Sequence, residues 1–263
     1  MAPRRVIQFL TLAIPLCTAA FFRENRWARY EYEMQDPVDD PPDADVKAEF
    51  AFGRLRYHSP LDGRWRARWG TDANKSERLF MQALRRLSRV NAQSIEEILE
   101  IDTNEMYNWP FMYAVGVGDW VISGSEAERL RAYFERGGFL MVDDFHNEGE
   151  WADFMAGIEK ILPSSKFVEL EDDAPIFHTV FDLSKRFQIS GYNIVRGQPY
   201  ERGGYTPHWR AILDAQGRVV VAACHNMDVG DAWEWADAPE YPERISSLAF
   251  RLGVNYVTYA LTH

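Results

Sequence analysis

The stretch SGSEAERLRAYFERGGFLMVDDFH, residues 123–146, decides the fold class. Ser123 followed by Glu126 has the spacing of a capping box, in which each side chain reaches the other's backbone N–H at a helix start. Ala127, Leu130 and Phe134 then recur at helical spacing, and Gly137-Gly138 supplies the stop. The apolar run Phe139–Val142 follows at once and ends at Asp143-Asp144. A helix that stops on glycine and feeds directly into a short apolar strand is half of a β–α–β unit.

The same alternation extends in both directions. Phe50–Tyr57 is a short β-rich run, and Asn74–Val90 places Leu79, Ala83, Leu87 and Val90 on a helical stripe. Phe111–Val117, bounded by Pro110 and Gly118, suits a buried strand. Trp151, Phe154, Ile158 and Ile161 mark a further helix. Residues 163–210 are less regular, with one strand expected at Phe167–Leu170. Val219–Cys224 is the most apolar strand, and Pro242 opens a C-terminal helix carrying Ile245, Leu248, Ala249, Leu252, Tyr256 and Tyr259. Strands alternating with helices predict an α/β three-layer sandwich around a mostly parallel sheet, with ligands expected at the carboxyl ends of the strands.

Composition narrows the classes. The chain has 263 residues, 46% hydrophobic and 26% charged, within the ordinary globular range. Its formal charge of −11 and the lack of a basic cluster argue against nucleic acid as a partner. Residues 1–22 place Arg4 and Arg5 before an apolar stretch from Val6 to Cys17, then Thr18, Ala19 and Ala20. This is the pattern of an export signal, or of an N-terminal anchor if it is not cleaved. It predicts an exported, periplasmic or extracellular protein that meets the membrane only through this segment. Residues 23–48 alternate acids with prolines and read as a linker, or as an arm lying on the domain surface. Residues 49–263 then form a single α/β domain. Without the leader only Cys224 remains of the two cysteines, so no intramolecular disulfide forms and the core alone must hold the fold.

Polar residues gather after two of the apolar strands. Asp143, Asp144 and His146 follow the first, a set suited to a divalent metal or to acid–base chemistry. His225, Asn226, Asp228 and Asp231 follow the second, with His225, Asp228 and Asp231 spaced by three around Gly230. His208, Trp209 and Arg210 form a third set, in which the cation beside a flat ring suits an anionic or sugar ligand. Trp233 and Glu234 pair an aromatic with a carboxylate, as sugar-binding clefts do. His146, His225 and Asp144 are the candidate metal ligands. Cys224 and His225 are strand neighbours and point to opposite faces, so they do not form a nucleophile–base pair.

The runs WVISGSEAERLRAYFERGGFLMVDDFH (120–146), PHWR (207–210), HNMDVGDAWE (225–234) and Arg251–Tyr256 resemble the bacterial domain-of-unknown-function family 4159. That family resembles the class I glutamine amidotransferase-like superfamily, which implies a flavodoxin-like sandwich. It implies no activity and no catalytic residues. The amidotransferase nucleophile would need a cysteine at a central strand end, and neither Val142-Asp143-Asp144 nor Gly116-Val117-Gly118 holds one.

Three readings stay open at this level. In the first, the domain binds a small polar ligand, such as a carbohydrate, in a strand-end cleft. In the second it is a metal-dependent hydrolase. In the third it is a non-catalytic envelope interaction domain.

Overall fold

A computed structural model describes residues 28–60 and 67–263. Residues 1–22, which the sequence reads as an export signal or anchor, lie outside the described residues. Among the described residues, seven strands form one sheet: β1 (Gly53–Arg56), β2 (Glu97–Glu100), β3 (Phe111–Val115), β4 (Phe139–Phe145), β5 (Val168–Glu169), β6 (His208–Leu213) and β7 (Val219–His225). Their order is β2-β1-β3-β4-β7-β6-β5. The first five in that order run parallel; β6 and β5 add an antiparallel edge. This is the α/β sandwich that the strand–helix alternation predicts, with the flavodoxin-type order across its parallel part.

The helices are α1 (Lys75–Leu87), α2 (Gly124–Glu135), α3 (Asn147–Ile161), α4 (Val229–Glu234) and α5 (Glu243–Thr262). One face of the sheet packs Phe80, Met81 and Leu84 of α1, Trp233 of α4 and Leu252 and Tyr256 of α5. The other packs Leu130 and Phe134 of α2 with Phe154 and Ile158 of α3. Because both faces are covered, every residue of β3, β4 and β7 is buried, which accounts for their unbroken apolar runs.

The deciding stretch folds through its own local contacts. The Glu126 N–H donates to Ser123 Oγ at 3.3 Å, and the Ser123 N–H donates to Glu126 Oε2 at 2.8 Å. Gly137 takes φ of +98°, which ends α2 and turns the chain into β4. One boundary differs from expectation. β4 does not stop at Val142 but runs to Phe145, so Asp143 and Asp144 lie inside the strand. Its pairing with β7 shifts between Val142 and Phe145, and Asp144 adopts φ of +50°. The irregularity lets the strand continue while releasing Asp144 from strict alternation.

The β2 strand has no counterpart in the sequence reading, and β6 begins within the stretch read as irregular. The acidic segment ahead of β1 lies against the domain. Tyr30, Met34 and Ala44 are buried, and Arg78 of α1 donates to the carbonyls of Val38 and Asp39 and to Asp40 at 2.5–2.6 Å. No helix among the described residues is long and apolar enough to cross a membrane.

Candidate functional site

The two aspartates of β4 serve different neighbours. Asp143 Oδ2 accepts from the Tyr113 hydroxyl at 3.0 Å and from the backbone N–H groups of Val229 and Gly230 at 2.7 and 2.9 Å. It therefore fixes the start of α4 against the sheet. Asp144 Oδ1 accepts from Arg202 at 2.7 Å and lies 3.2 Å from His146 Nε2. Arg202 also reaches Glu150 at 2.9 Å and Glu201 at 3.7 Å.

Asp144 lines a cavity of about 190 Å³ together with Asp72, Glu201, Asp228 and Asp231, and Arg68, Arg202 and Tyr192 are also part of its wall. The cavity lies beyond the carboxyl ends of β4 and β7, where a doubly wound sheet exposes its loops. Asp228 is the N-cap of α4, its side chain accepting from the Asp231 N–H at 2.9 Å. Asp231 Oδ2 accepts from the Tyr192 N–H at 2.6 Å, and its Oδ1 from Trp235 Nε1 at 3.1 Å. Ligand atoms of Glu201, Asp228 and Asp231 lie within 4.8 Å of one another, as do those of Asp72, Asp231 and Glu234, and those of Asp144, His146 and Glu201.

Five carboxylates share this cavity with two guanidinium groups, and the imbalance shows in their acidities. Burial, then the charge of Asp231, pushes Asp72 and Asp228 well above the usual carboxylate range. Burial and the charge of Asp144 raise Glu201 and Asp231. Glu234 is pushed up to about 7 by burial and Asp231. Asp144 is the exception. Burial acts to raise it too, but His146, Arg202 and Arg68 outweigh burial and hold it below the ordinary range. Several buried polar atoms here have no hydrogen-bond partner: Asp72 Oδ2, Asp143 Oδ1, His146 Nδ1 and Glu201 Oε1.

The remaining sequence candidates fall elsewhere. His208 and His225 are cross-strand partners on β6 and β7, their rings stacked 5.5 Å apart. Arg210 donates to His225 Nδ1 at 3.2 Å, which leaves Nε2–H to donate to the Asn147 carbonyl at 3.0 Å. Burial, with the charge of Arg210 adding to it, lowers His225 to about 4, so the imidazole is neutral. Glu169 takes up His208, Arg210 and the Trp209 N–H at 3.3, 3.3 and 2.7 Å. The proposed metal trio is thus divided: Asp144 and His146 meet, whereas His225 is absent from every converging set among the described residues. The spacing of three in His225, Asp228 and Asp231 brings only the two aspartates together, because His225 still belongs to β7.

Trp233 is wholly buried, its ring 4.5 Å from that of Phe80, so it offers no face to a sugar. Trp209 is buried against Phe177. Asn226, at φ of +62°, bonds the Asn147 N–H and the Thr206 carbonyl and holds the loop that follows β7. Glu234 joins the acidic set through Asp72 and Asp231. The sequence reading missed Arg68, Asp72, Glu201 and Arg202. Arg68 and Asp72 flank a single buried turn with no periodicity. Glu201-Arg202 sits in the irregular region, where the following Gly203-Gly204 is the one local signal of a close approach.

A family model described as Domain of unknown function (DUF4159) matches residues 51–261. No curated protein matches the chain.

Proposed function

The chain belongs to the DUF4159 family, and from that premise we propose that it is an exported domain binding a small polar ligand rich in hydroxyl or amine donors. One observation carries the reading: five carboxylates and two guanidinium groups face a single cavity of about 190 Å³ at the sheet's carboxyl edge. Such a wall presents acceptors in excess, which suits a ligand that donates. Tyr192, its ring packed 4.1 Å from that of Trp235, gives the wall one aromatic side chain. Export rests on the pattern of residues 1–22. The sheet order and the helix–Gly-Gly–strand unit support membership of the class I glutamine amidotransferase-like superfamily, without its chemistry. Cys224 is wholly buried, and burial raises its thiol well above the usual range, the opposite of an activated nucleophile.

Metal-dependent hydrolysis is the second reading, favoured by the same crowding of carboxylates. The interaction-domain reading has less support, because Glu33 and Asp40 of the acidic segment are engaged by Arg56 and Arg78 of the domain itself.

Calorimetry and thermal melts with hexoses, hexosamines and spermidine test the proposal. At least one of these should bind saturably to the wild type, and Asp231→Asn should weaken it at least tenfold while leaving the circular dichroism spectrum intact. Failure of the whole panel, or binding indifferent to Asp231→Asn, overturns the reading.

A further inference from the structure

Glu201, from the loop ahead of β6, and Asp228 and Asp231, from the N-cap and first turn of α4, crowd one spot. That spot adjoins Gly191, where a side-chain carbon would come within 2.7 Å of an oxygen from each of the three. Gly191 has φ of −69° and ψ of −177°, a conformation open to any residue. Its lack of a side chain, and not its backbone freedom, is therefore what the site uses.

A second observation points the same way. Asp72 is only 3% exposed and its Oδ2 has no hydrogen-bond partner, yet it lines the same cavity. Glu201 Oε1 is also buried and unpartnered. Leaving such oxygens unpaired is costly, and a bound group recovers that cost. The nearby cations are committed elsewhere. Arg202 is held by Asp144 and Glu150 at 2.7 and 2.9 Å and reaches Glu201 only at 3.7 Å, and Arg68 lies 3.9 Å from Asp119. Among the described residues no lysine or arginine forms an ion pair with Asp72, Asp228 or Asp231.

We infer that Glu201, Asp228 and Asp231 hold a hard divalent cation in this cavity, with Asp72 as a further carboxylate beside it. The inference rests on the reading of the cavity as a binding site. An all-oxygen donor set selects magnesium, manganese or calcium and disfavours zinc or copper, which seek nitrogen and sulfur. A divalent ion supplies the positive charge that Asp72, Asp228 and Asp231 lack. The site differs from one built on His225, which is already engaged by Arg210 and Asn147.

Manganese titration of the full chain, stripped with chelator and followed by electron paramagnetic resonance, tests this. One saturable equivalent is expected, displaced by calcium or magnesium. Glu201→Gln removes one ligand charge and Gly191→Ala fills the cradle without touching a charge; each should weaken manganese at least tenfold. His225→Gln should leave the affinity unchanged. Terbium supplies a readout that needs no variant. Trp235 Nε1 lies 3.1 Å from Asp231, so a lanthanide in this site should emit when tryptophan is excited. No saturable manganese, no sensitised terbium emission, or full affinity in both ligand-site variants overturns the inference. The two proposals separate cleanly. Manganese binding with no response to sugars or spermidine upholds the cation and removes the polar ligand. Ligand binding in excess chelator, with no manganese bound, does the reverse.

Discussion

Asp143 and Asp144 are neighbours on β4 and end in opposite electrostatic states. Asp143 is enclosed by a hydroxyl and two backbone N–H groups, with no cation against it. Burial pushes it up to about 8, the donors at Gly230, Tyr113 and Val229 only partly opposing this, and the charge of Asp144 adds to the rise. Asp144 meets the full charge of Arg202 and is held low despite its burial. The shift in the β4–β7 pairing, with φ of +50° at Asp144, is what lets adjacent residues face such different surroundings.

Asp143 should therefore behave as a structural acceptor. Asp143→Asn keeps an oxygen for Val229 and Gly230, and should cost about 1 kcal/mol or less. Asp143→Ala strands both N–H groups at the start of α4 and should cost about 3 kcal/mol. Urea denaturation at neutral pH distinguishes them. Equal costs would show that the oxygen at this position does not hold α4.

Asp144 and Arg202 should be energetically coupled. Arg202 is about one-third exposed, so it can regain water when its partner is removed. Asp144→Asn and Arg202→Met should each cost about 1 kcal/mol, with a coupling of about 1 kcal/mol in the double-mutant cycle. Additive effects in denaturation would mean that the pair sets no geometry and that Asp144 is placed by β4 alone.

The parallel sheet was legible because its signals are local: a capping box, a glycine stop and unbroken apolar runs at β3, β4 and β7. β2 escaped notice because Glu97–Glu100 holds only two apolar residues between charges. The site was legible by half. Asp144, Asp228 and Asp231 directly follow or end apolar strands, where the sheet's geometry directs attention. Asp72 and Glu201 reach the same cavity from loops whose path depends on tertiary packing, and no spacing announces it. Trp233 misled for the same reason: next to acids in sequence, it turns on the far side of α4 into the core against Phe80. His225 sits one residue before the loop turns, and that single position moves it from the acidic cavity to the Arg210 side of the sheet.

The neutral His225 should make stability depend on pH. Its folded pKa of about 4 lies below the ordinary value of 6.5. As pH falls from about 6.5 towards 4, the unfolded chain takes up a proton that the folded one refuses, so the contribution is complete above 6.5 and lost across that window. The buried carboxyls with raised values, such as Glu234 at about 7, slope the other way as pH rises through their own window. The comparison must therefore be with His225→Gln, in which the histidine part vanishes. The urea midpoint of the wild type should fall relative to that variant by an amount equivalent to about 3 kcal/mol between pH 7 and pH 4. Parallel profiles would mean that His225 protonates freely in the folded state.

The acidic segment should be held by one residue of α1. Arg78 is buried, binds the carbonyls of Val38 and Asp39 and the carboxylate of Asp40, and faces the wholly buried Glu96. Arg78→Ala removes the donors for the segment and strands Glu96 without a cation, so it should cost about 3 kcal/mol. The variant Arg78→Ala with Glu96→Gln removes the stranded charge and should recover part of that stability, but not the hold on residues 38–40. Limited proteolysis separates the two effects. Cleavage within residues 35–45 should speed up in both variants, while denaturation should single out Arg78→Ala as the weaker fold. Protection of that stretch in the double variant would show that Tyr30, Met34 and Ala44, buried by their own side chains, suffice to dock the segment.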